Sequence, residues 1–428
     1  MKPVYQIREY GSFITGRTVE GYETLPPHTF EQLERFILSN RSRDTDALEL
    51  MGVSYQRGIG KVITAKNYVG ILTMKDGTVI EILPKIFSAV QDASAAKVKR
   101  LLIDMLRTLR DAPYKNLQTS GMDLEKMNIL EIFIRMFLEE VFFIVKRGLK
   151  RNYEATEENG TFFKGKLKFS QHIKHNHAHQ ERSYVEYDSF TVNRPENRLL
   201  KSTLQYLYRH TGSSRNRNDL KSLLNSFAEV EPSGDYKGDF AKYVPDRNMK
   251  DYSTALRWCR VFLEGKSFTS FSGSEVALAL LFPMETLFES YMAALLKKHL
   301  APCGFAVSAQ DRGCYLFDEP KRFAMRPDIV VRRKSDDAIF VLDTKWKLLG
   351  GSKLNYGISQ ADMYQMYAYQ KKYAAACVTL LYPKTEQFAS GERIEFTSKD
   401  GVTVKVSFVD LFDTAGCIKS LQAELQMQ

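Results

Sequence analysis

Cysteine is sparse in this sequence, and the few cysteines that occur are scattered. The five lie at positions 259, 303, 314, 377 and 417, and no two of them form a CxxC pair. An odd and dispersed set argues against a disulfide framework and against a structural zinc site. The cysteine usage is typical of a protein from a reducing compartment.

Long apolar runs are also missing. The nearest approach, around residues 133–145, is interrupted by Arg135, Glu139 and Glu140. No stretch of about 18 apolar residues is therefore present to span a bilayer. No charged-then-apolar leader opens the sequence. We expect a cytoplasmic protein with no membrane partner.

A phosphate-binding loop is absent as well. The run from Gly58 to Lys61 contains two glycines and a lysine, but it lacks the GxxxxGK[ST] spacing, and Val62 replaces the metal-binding hydroxyl. Glycine-lysine turns of this kind are ordinary hairpin chemistry. We expect that the chain has no nucleoside triphosphatase site of its own and no organic cofactor.

The sequence does contain enough apolar material for more than one core. Its 428 residues are 44% hydrophobic and 12% aromatic, and a chain of this length exceeds what a single core usually serves. The formal net charge of +10 and the isoelectric point near 9.1 favour an anionic partner. Mildly basic proteins without such a partner are common, so charge alone does not decide the function.

Residues 1–95 have the pattern of a β-rich module with one helix. Strand-like content runs from Val4 to Glu9 and from Val53 to Val69, and ILTMKDGTVIEILPKI is typical of a hairpin that turns at Asp76-Gly77. Thr29 to Leu38 has helical spacing, with Thr29 as the candidate N-cap.

The middle region, residues 96–250, is predicted to be a largely helical linking domain. Apolar residues recur at helical spacing from Ala95 to Arg110, from Leu124 to Lys150 and from Asn197 to Tyr208. The Arg-Asn-Arg-Asn run at 215–218 is typical of a loop, and the prolines and glycines from Pro232 to Pro245 indicate a flexible crossing.

Two features of this middle region have two interpretations each. The basic cluster from Lys146 to Arg151 either follows a phosphate backbone or solvates the C-terminus of a helix. Four of the seven histidines lie between His172 and His179. They either bind a metal or belong to a polar loop, and their HxxHxHxH spacing is not that of a standard zinc site.

Residues 251–428 have the pattern of an α/β domain. METLFESYMAALLKKHL, from Met284 to Leu300, is an amphipathic helix with Leu287, Tyr291 and Leu295 on its inward stripe. A second helix is predicted from Ser359 to Tyr373, and the apolar strand CVTLLYP follows it. We expect an α+β protein with three domains, divided near residues 95 and 250.

The stretch from Arg326 to Lys347 has the strongest chemical signal. RPDIVVRRK and IFVLDTKWK each have strand-like content, and the polar break between them is short enough for a hairpin. Alternation along a strand places Asp343 and Lys345 on one face, and pairing of the two strands brings Asp328 towards Asp343. Two carboxylates with room for a hard cation, and a lysine two residues on, suit metal-assisted phosphodiester hydrolysis.

The order of helix, hairpin, helix and strand resembles the PD-(D/E)xK nuclease superfamily, whose core is a mixed sheet flanked by helices. Over most of its length the sequence is similar to McrC-like nuclease subunits of McrBC-type modification-dependent restriction systems. The matching stretches, in order, are EYGSF, IEILPKI with Glu81 and Ile86, FKGKL, NRPENRLLK, METLFESY, RPDIVV, VLDTKWK and DMYQMYAY. The histidine-rich segment has no counterpart among them.

The resemblance implies a Mg²⁺-dependent DNA endonuclease of the type IV restriction class. It implies that Mg²⁺ is held by Asp328, Asp343 and the carbonyl of Thr344. Glu289 would complete the acidic shell directly or through water, with Glu285 as its rival on the same side of the helix. The plain alternative for either glutamate is an ordinary position on a helix surface.

Two further residues have implied roles in this centre. Lys345 would orient the attacking water or help to deprotonate it. Gln365 would position Lys345 or the DNA backbone. The plain alternatives are an exposed salt pair between Asp343 and Lys345 and a surface glutamine at position 365.

The resemblance also implies partners. These are double-stranded DNA and a hexameric McrB-like AAA+ GTPase, which would bind the GTP and read a modified cytosine. The N-terminal part of the chain would engage the pore of this motor and stimulate its GTPase activity.

Two other functions stay open: a non-catalytic adaptor that docks DNA or a motor through a nuclease-like fold, and a standalone Mg²⁺-dependent endonuclease. A degenerate site would usually have lost an aspartate or the lysine, and this sequence retains Asp328, Asp343 and Lys345.

Overall fold

The fold is described from a computed structural model of the chain. The structure describes residues 3–39, 50–86, 95–109, 127–244, 247–264, 276–388 and 394–427. The predicted helix ends at Arg110 and Leu124, and Pro245, lie outside the described residues.

The helices lie mainly in the middle of the chain and towards its C-terminus. In chain order they are α1 (Pro27–Ser39), α2 (Ala95–Arg107), α3 (Ile129–Arg147), α4 (Phe169–Asn176), α5 (Pro195–His210), α6 (Ser214–Ser226), α7 (Tyr236–Lys242), α8 (Ser253–Glu264), α9 (Met284–Leu300), α10 (Gln360–Tyr373) and α11 (Thr414–Met427). None of the helices in the described ranges is long and apolar enough to cross a membrane.

The strands are concentrated near the two ends of the sequence. In chain order they are β1 (Val4–Arg8), β2 (Ser12–Thr15), β3 (Glu23–Leu25), β4 (Met51–Gln56), β5 (Gly60–Ala65), β6 (Tyr68–Met74), β7 (Val79–Leu83), β8 (Asn152–Gly160), β9 (Lys166–Leu167), β10 (Ser183–Thr191), β11 (Val276–Pro283), β12 (Phe305–Ala309), β13 (Tyr315–Asp318), β14 (Lys321–Ala324), β15 (Ile329–Arg333), β16 (Ile339–Thr344), β17 (Cys377–Pro383), β18 (Ile394–Thr397) and β19 (Thr403–Val409). The expectation of a mixed α and β protein is confirmed.

The contacts within the chain divide it into two compact units. Residues 1–129 and 267–428 form one, here called the terminal unit, and residues 130–266 form the other, the middle unit. The division into three domains near residues 95 and 250 stays a prediction.

The first part of the terminal unit contains two four-stranded sheets, with strand orders β1-β7-β6-β11 and β3-β2-β5-β4. The predicted β6-β7 hairpin is confirmed, and in its turn the Thr78 amide donates to Asp76 Oδ1 at 2.7 Å. The Gly58-to-Lys61 run joins the antiparallel strands β4 and β5, as hairpin chemistry predicts. Thr29 is not the cap of α1; it lies inside the helix and is buried.

Strand β11 lies far along the chain but belongs to the first of these sheets. It pairs antiparallel with β6, and Ala279 and Leu281 enter the same core as Phe13 and Leu72. The chain continues directly from β11 into α9, so this sheet is covalently joined to the helix that carries Glu289.

The second part of the terminal unit is built on a six-stranded sheet of order β12-β15-β16-β17-β19-β18. β15 and β16 form the predicted antiparallel hairpin, and β17 lies parallel to β16 on its other side. The predicted order of α9, hairpin, α10 and β17 is confirmed, with strands β12 to β14 inserted between α9 and β15. On α9, Leu296 is buried, whereas the predicted inward residue Leu295 is only half-buried.

Helix α10 packs on the face of this sheet that carries Val330, Val341 and Leu380, through its buried residues Met366 and Tyr369. The hydroxyl of Ser359 caps the helix by accepting from the amide of Asp362. The helix therefore begins where the sequence predicted and covers the face shared by Val341 and Asp343.

In the middle unit, the residues predicted as a loop at 215–218 lie instead within α6. The carboxylate of Glu131 accepts hydrogen bonds from Thr211 Oγ1, from the amides of Gly212 and Ser213, and from Asn216 Nδ2. These tertiary contacts fix the start of α6 and override the weak helix propensity of the asparagines in this run. Helix α7 likewise occupies part of the predicted flexible crossing.

The middle unit also contains a three-stranded sheet of order β8-β10-β9, which the largely helical prediction did not include. His172 and His175 lie on α4, where His172 Nδ1 is 3.0 Å from Asn176 Nδ2 and His175 stacks on Tyr184. His177 and His179 lie in the turn that follows α4, as the polar-loop interpretation predicted. No group of three His, Cys, Asp or Glu side chains within the described ranges is arranged to hold a metal ion. A metal role for the histidines has no support there.

Candidate active site

The candidate site lies where the β15-β16 hairpin opens towards α10. Ile329 pairs with Leu342 in this antiparallel ladder, so Asp328 and Asp343 are opposite each other at the next position. Asp328 Oδ2 accepts hydrogen bonds from the amide of Thr344 at 2.8 Å and from Thr344 Oγ1 at 2.6 Å. The predicted approach of the two aspartates is therefore present in the structure.

Lys345 forms an ion pair with one of the two aspartates, Asp343. Asp343 is 1% exposed, and its Oδ2 forms an ion pair with Lys345 Nζ. The amide of Lys345 donates to the Leu381 carbonyl at 2.9 Å, which continues the parallel pairing of β16 with β17 by one residue. The Asp343–Lys345 pair is therefore partly buried in the sheet margin and is not an exposed surface pair.

Burial and neighbouring charge alter the proton affinity of both members of this pair. Burial, together with the negative charge of Asp328, raises the pKa of Asp343 to about 7, although Lys345 opposes the change. Burial lowers the pKa of Lys345, but the carboxylates of Asp343, Asp362 and Asp328 outweigh it, and the net pKa is raised. The lysine is thus held in its charged form beside a carboxyl group that ionises with difficulty.

Helix α10 supplies the other side of the site. Lys345 Nζ lies 3.3 Å from Gln365 Oε1 and 3.8 Å from Asp362 Oδ1. Gln365 Nε2 donates to the hydroxyl of Tyr369 at 2.8 Å, so the amide is oriented with its oxygen towards the lysine. The structure places Gln365 next to Lys345, where the sequence predicted a positioning role.

Asp362 and Tyr369 are site residues that the sequence reasoning missed. Together with Gln365 they occupy positions i, i+3 and i+7 of one helix, which share a face. All three lie in the DMYQMYAY stretch. Their helical spacing and polarity were the available signal in the sequence, but this signal does not show that the shared face lies beside Lys345.

Glu289 is linked to Asp328 through Gln310. Its Oε1 accepts a hydrogen bond from Gln310 Nε2, and the amide of Gln310 donates to the Asp328 carbonyl at 2.9 Å. Its rival Glu285 accepts instead from Asn67 Nδ2 at 3.3 Å. Because no three acidic or histidine side chains of the described residues form a metal-holding group, the role of Glu289 as a ligand stays a prediction.

The donor set of the site fits Mg²⁺. Within the described ranges, the side chains of Asp328 and Asp343 make their contacts through Oδ2: Asp328 with Thr344, and Asp343 with Lys345. Oδ1 of each carboxylate is left for another ligand. Mg²⁺ is commonly held by one or two carboxylates and retains several waters, so it does not need a third carboxylate. Burial and, after it, the negative charge of Asp328 raise the pKa of Asp343, and a bound divalent cation would offset both effects by stabilising the ionised carboxylate.

Comparison with known proteins gives a family match over most of the chain. The family described as "McrBC 5-methylcytosine restriction system component" matches residues 63–383. No curated protein matches the sequence.

Two solved structures from Thermococcus gammatolerans are similar to this fold. One is a chain of the half-complex from a tetradecameric assembly of McrB AAA+ hexamers with bound McrC; the TM-score is 0.69 at 18% identity, covering 99% of each chain. The other is a chain of the McrBC complex, with a TM-score of 0.49 at 18% identity, covering 69% of this chain and 88% of that one. The first likeness shows a shared fold along essentially the whole chain.

Proposed function

The chain belongs to the family of McrBC 5-methylcytosine restriction system components, and from this premise we propose that it is the DNA-cutting subunit of such a system. In this proposal it is a Mg²⁺-dependent endonuclease with a PD-(D/E)xK core. The observation that carries the proposal is the meeting of Asp328, Asp343 and Lys345 at the open end of one hairpin.

Asp328, Asp343 and the carbonyl of Thr344 would hold Mg²⁺ in this proposal. Glu289 would take part directly or through a water. Such a cation, when bound, supplies charge stabilisation at the scissile phosphate and a more acidic water. The chain's own contribution is to hold two carboxylates close together at the partly buried margin of the sheet. In water, two such groups would repel each other and separate.

Lys345 orients the attacking water and the phosphate in this proposal. Its raised pKa keeps it protonated beside Asp343, so orientation by a positive charge is better supported than proton removal. Gln365, itself fixed by Tyr369, holds the ammonium group in place. The arrangement requires both α10 and the hairpin.

We further propose that the chain works with an AAA+ GTPase of the McrB type, which binds the GTP and reads a modified cytosine. The basis is the family membership and the fold shared with a chain from an assembly of McrB hexamers with bound McrC. Residues 1–95 would engage the motor and stimulate its GTPase activity, residues 96–250 would link, and residues 251–428 would carry the nuclease centre.

The test is cleavage of methylated DNA by the chain assembled with its GTPase partner, in Mg²⁺ and GTP. Asp343→Ala and Lys345→Ala are expected to lower the cleavage rate by at least about a hundredfold, since the first removes a ligand of the cation and the second removes a positive charge at the reacting phosphate. The partner's GTP turnover should stay at the wild-type level, because both side chains lie within the site.

Matched controls come from the same hairpin. Lys334 and Asp336 lie in its exposed turn, so Lys334→Ala and Asp336→Ala should cut at the wild-type rate. A site variant that cuts as fast as these controls would reject the site. A wild-type complex that binds DNA without cutting would favour an adaptor, and cutting by the purified chain without GTP would favour a standalone endonuclease.

A further inference from the structure

A buried carboxylate lies at the end of the first strand, outside the candidate active site. Glu9 is 1% exposed, and its own amide donates to the Leu83 carbonyl at 2.9 Å. Burial of a charged group is costly unless hydrogen bonds compensate it. The partners of Glu9 therefore indicate what its burial achieves.

The partners of Glu9 come from two distant parts of the chain. The indole N–H of Trp346 lies 3.0 Å from Oε1 and 3.2 Å from Oε2, and the amide of Lys85 donates to Oε2 at 3.0 Å. Hydrogen bonds to an ionised acceptor are stronger than those between neutral groups. One carboxylate thus joins the EYGSF, IEILPKI and VLDTKWK stretches.

Trp346 is the residue directly after Lys345. It is 8% exposed. The centroid of its ring lies 5.4 Å from the ring centroid of Phe288, the neighbour of Glu289 on α9. The backbone on either side is also tied: the Lys345 amide donates to Leu381, and the Lys347 amide donates to the Lys345 carbonyl at 3.0 Å. The side chain of Trp346 therefore anchors a turn that begins at the candidate catalytic lysine.

We propose that Glu9 is a positioning residue of the nuclease centre, which acts by holding the Trp346 indole and thereby the Lys345–Lys347 turn. The proposal rests on the proposed function, because Lys345 and the Thr344 carbonyl are the groups positioned. It makes the geometry of the centre depend on the N-terminal sheet, more than 330 residues away in sequence.

Burial raises the pKa of Glu9 to about 7, against the hydrogen bonds from Lys85 and Trp346, which lower it. The charged groups that act on it are Lys85 and Glu285. If Glu9 served only to fill space, an apolar side chain of similar volume could replace it with little loss of stability. The contact with Trp346 gives the residue a specific role.

Two variants test the proposal. Glu9→Gln keeps the shape but removes the charge and one acceptor, and Trp346→Phe keeps the ring against Phe288 but removes the donor. Glu81→Gln is the matched control for the first, because Glu81 is also 1% exposed but pairs with Lys99 and Gln6. Trp258→Phe is the control for the second, since these are the two tryptophans of the chain.

The first readout needs no activity. Hydrogen exchange at the amides of Lys345 and Lys347 in the metal-free chain should be faster by on the order of tenfold in Glu9→Gln and Trp346→Phe, since a turn that loses a buried hydrogen bond opens more often. The two controls should leave these amides at the wild-type rate.

The second readout is single-turnover DNA cleavage in the assembled complex. Both variants should cut about tenfold or more slowly and need more Mg²⁺ for half-maximal rate, with the partner's GTP turnover unchanged. The double variant should be no slower than the slower single variant, because both changes break one contact.

Wild-type exchange at Lys345 and Lys347 in both variants would overturn the proposal. Equal effects of Glu81→Gln would do the same, because they would indicate general destabilisation. If the wild-type complex does not cut DNA, the proposed function fails, but the exchange measurement still decides whether Glu9 holds the turn.

Discussion

Asp343 combines burial, a neighbouring carboxylate and a lysine partner, and its titration follows from that combination. Its pKa is raised to about 7, mainly by burial and then by Asp328. A metal ligand of this kind must lose its proton before it binds a cation. Mg²⁺ and a proton should therefore compete for the site near neutral pH.

The expected result is a Mg²⁺ affinity that falls as the pH falls below about 7, by up to roughly tenfold for each pH unit, with uptake of the metal releasing protons. Calorimetry of Mg²⁺ binding at pH 5.5 to 8, in buffers of different ionisation enthalpy, measures both quantities. Asp343→Asn should abolish the binding. A wild-type affinity that is constant over this range would contradict the assignment of Asp343 as a ligand.

The free energy of unfolding of the metal-free chain should fall as the pH rises, whereas the Mg²⁺ affinity should rise. Folding raises the pKa of Asp343 and of Glu9 above their ordinary values, so the folded chain binds more protons than the unfolded chain between about pH 4 and pH 7. The contribution of these two groups to the free energy of unfolding is therefore largest below this window and is lost as the pH rises through it.

The aspartates and the lysine were predictable because their grouping needs only local information. Alternation along β16 and a short turn bring Asp328, Asp343 and Lys345 together wherever the hairpin lies in the molecule. Asp362, Tyr369 and Glu9 were not predictable in the same way, because their contacts depend on how α10 and the N-terminal sheet pack against the hairpin.

At the scale of elements, the pairing of β6 with β11 holds the N-terminal strands to the chain that enters α9. Gly70 makes this pairing possible: its φ is +133°, and a Cβ there would lie 2.0 Å from the Leu280 carbonyl oxygen. The two backbones approach too closely for any side chain at this position.

Gly70→Ala is expected to lower the free energy of unfolding by roughly 3 kcal/mol, because it adds a clash with backbone to an unfavourable φ. Gly58→Ala is the matched control: its φ is +83°, but nothing lies within 4 Å of the added Cβ, so it should cost only about 1 kcal/mol. Chemical denaturation of both variants measures the difference. Equal losses would show that the close approach of β6 and β11 contributes nothing.

Elements with strong local periodicity were predicted with nearly correct ends, as α9, α10 and β17 show. Elements defined by tertiary contacts were not predicted in this way. Helix α6 begins where the carboxylate of Glu131 accepts hydrogen bonds from four donors. Strand β11 joins a sheet whose other strands end near residue 83. Hydrophobic patterning identifies a strand, but it does not identify the partner of that strand.

At the scale of the whole molecule, the N-terminal sheets and the candidate nuclease centre belong to one compact unit. Removing residues 1–95 would take away β1, β6 and β7 together with Glu9. Strand β11 would then lose its pairing with β6, and the Trp346 indole N–H would lose its acceptor. Loss of GTPase stimulation in such a truncated chain would therefore not by itself locate the motor contact. Single substitutions separate the two roles.

The proposed nuclease centre depends most on a divalent cation bound between Asp328 and Asp343. The direct measurement is the anomalous difference density of Mn²⁺, an oxygen-preferring substitute for Mg²⁺, in crystals of the wild-type chain and of Asp343→Asn, with Asp336→Asn as control. We predict a peak within about 2.5 Å of oxygens from both aspartates, present in the wild type and the control and absent from Asp343→Asn. A wild-type map without that peak, or with its strongest peak at the histidines of α4, would contradict the account.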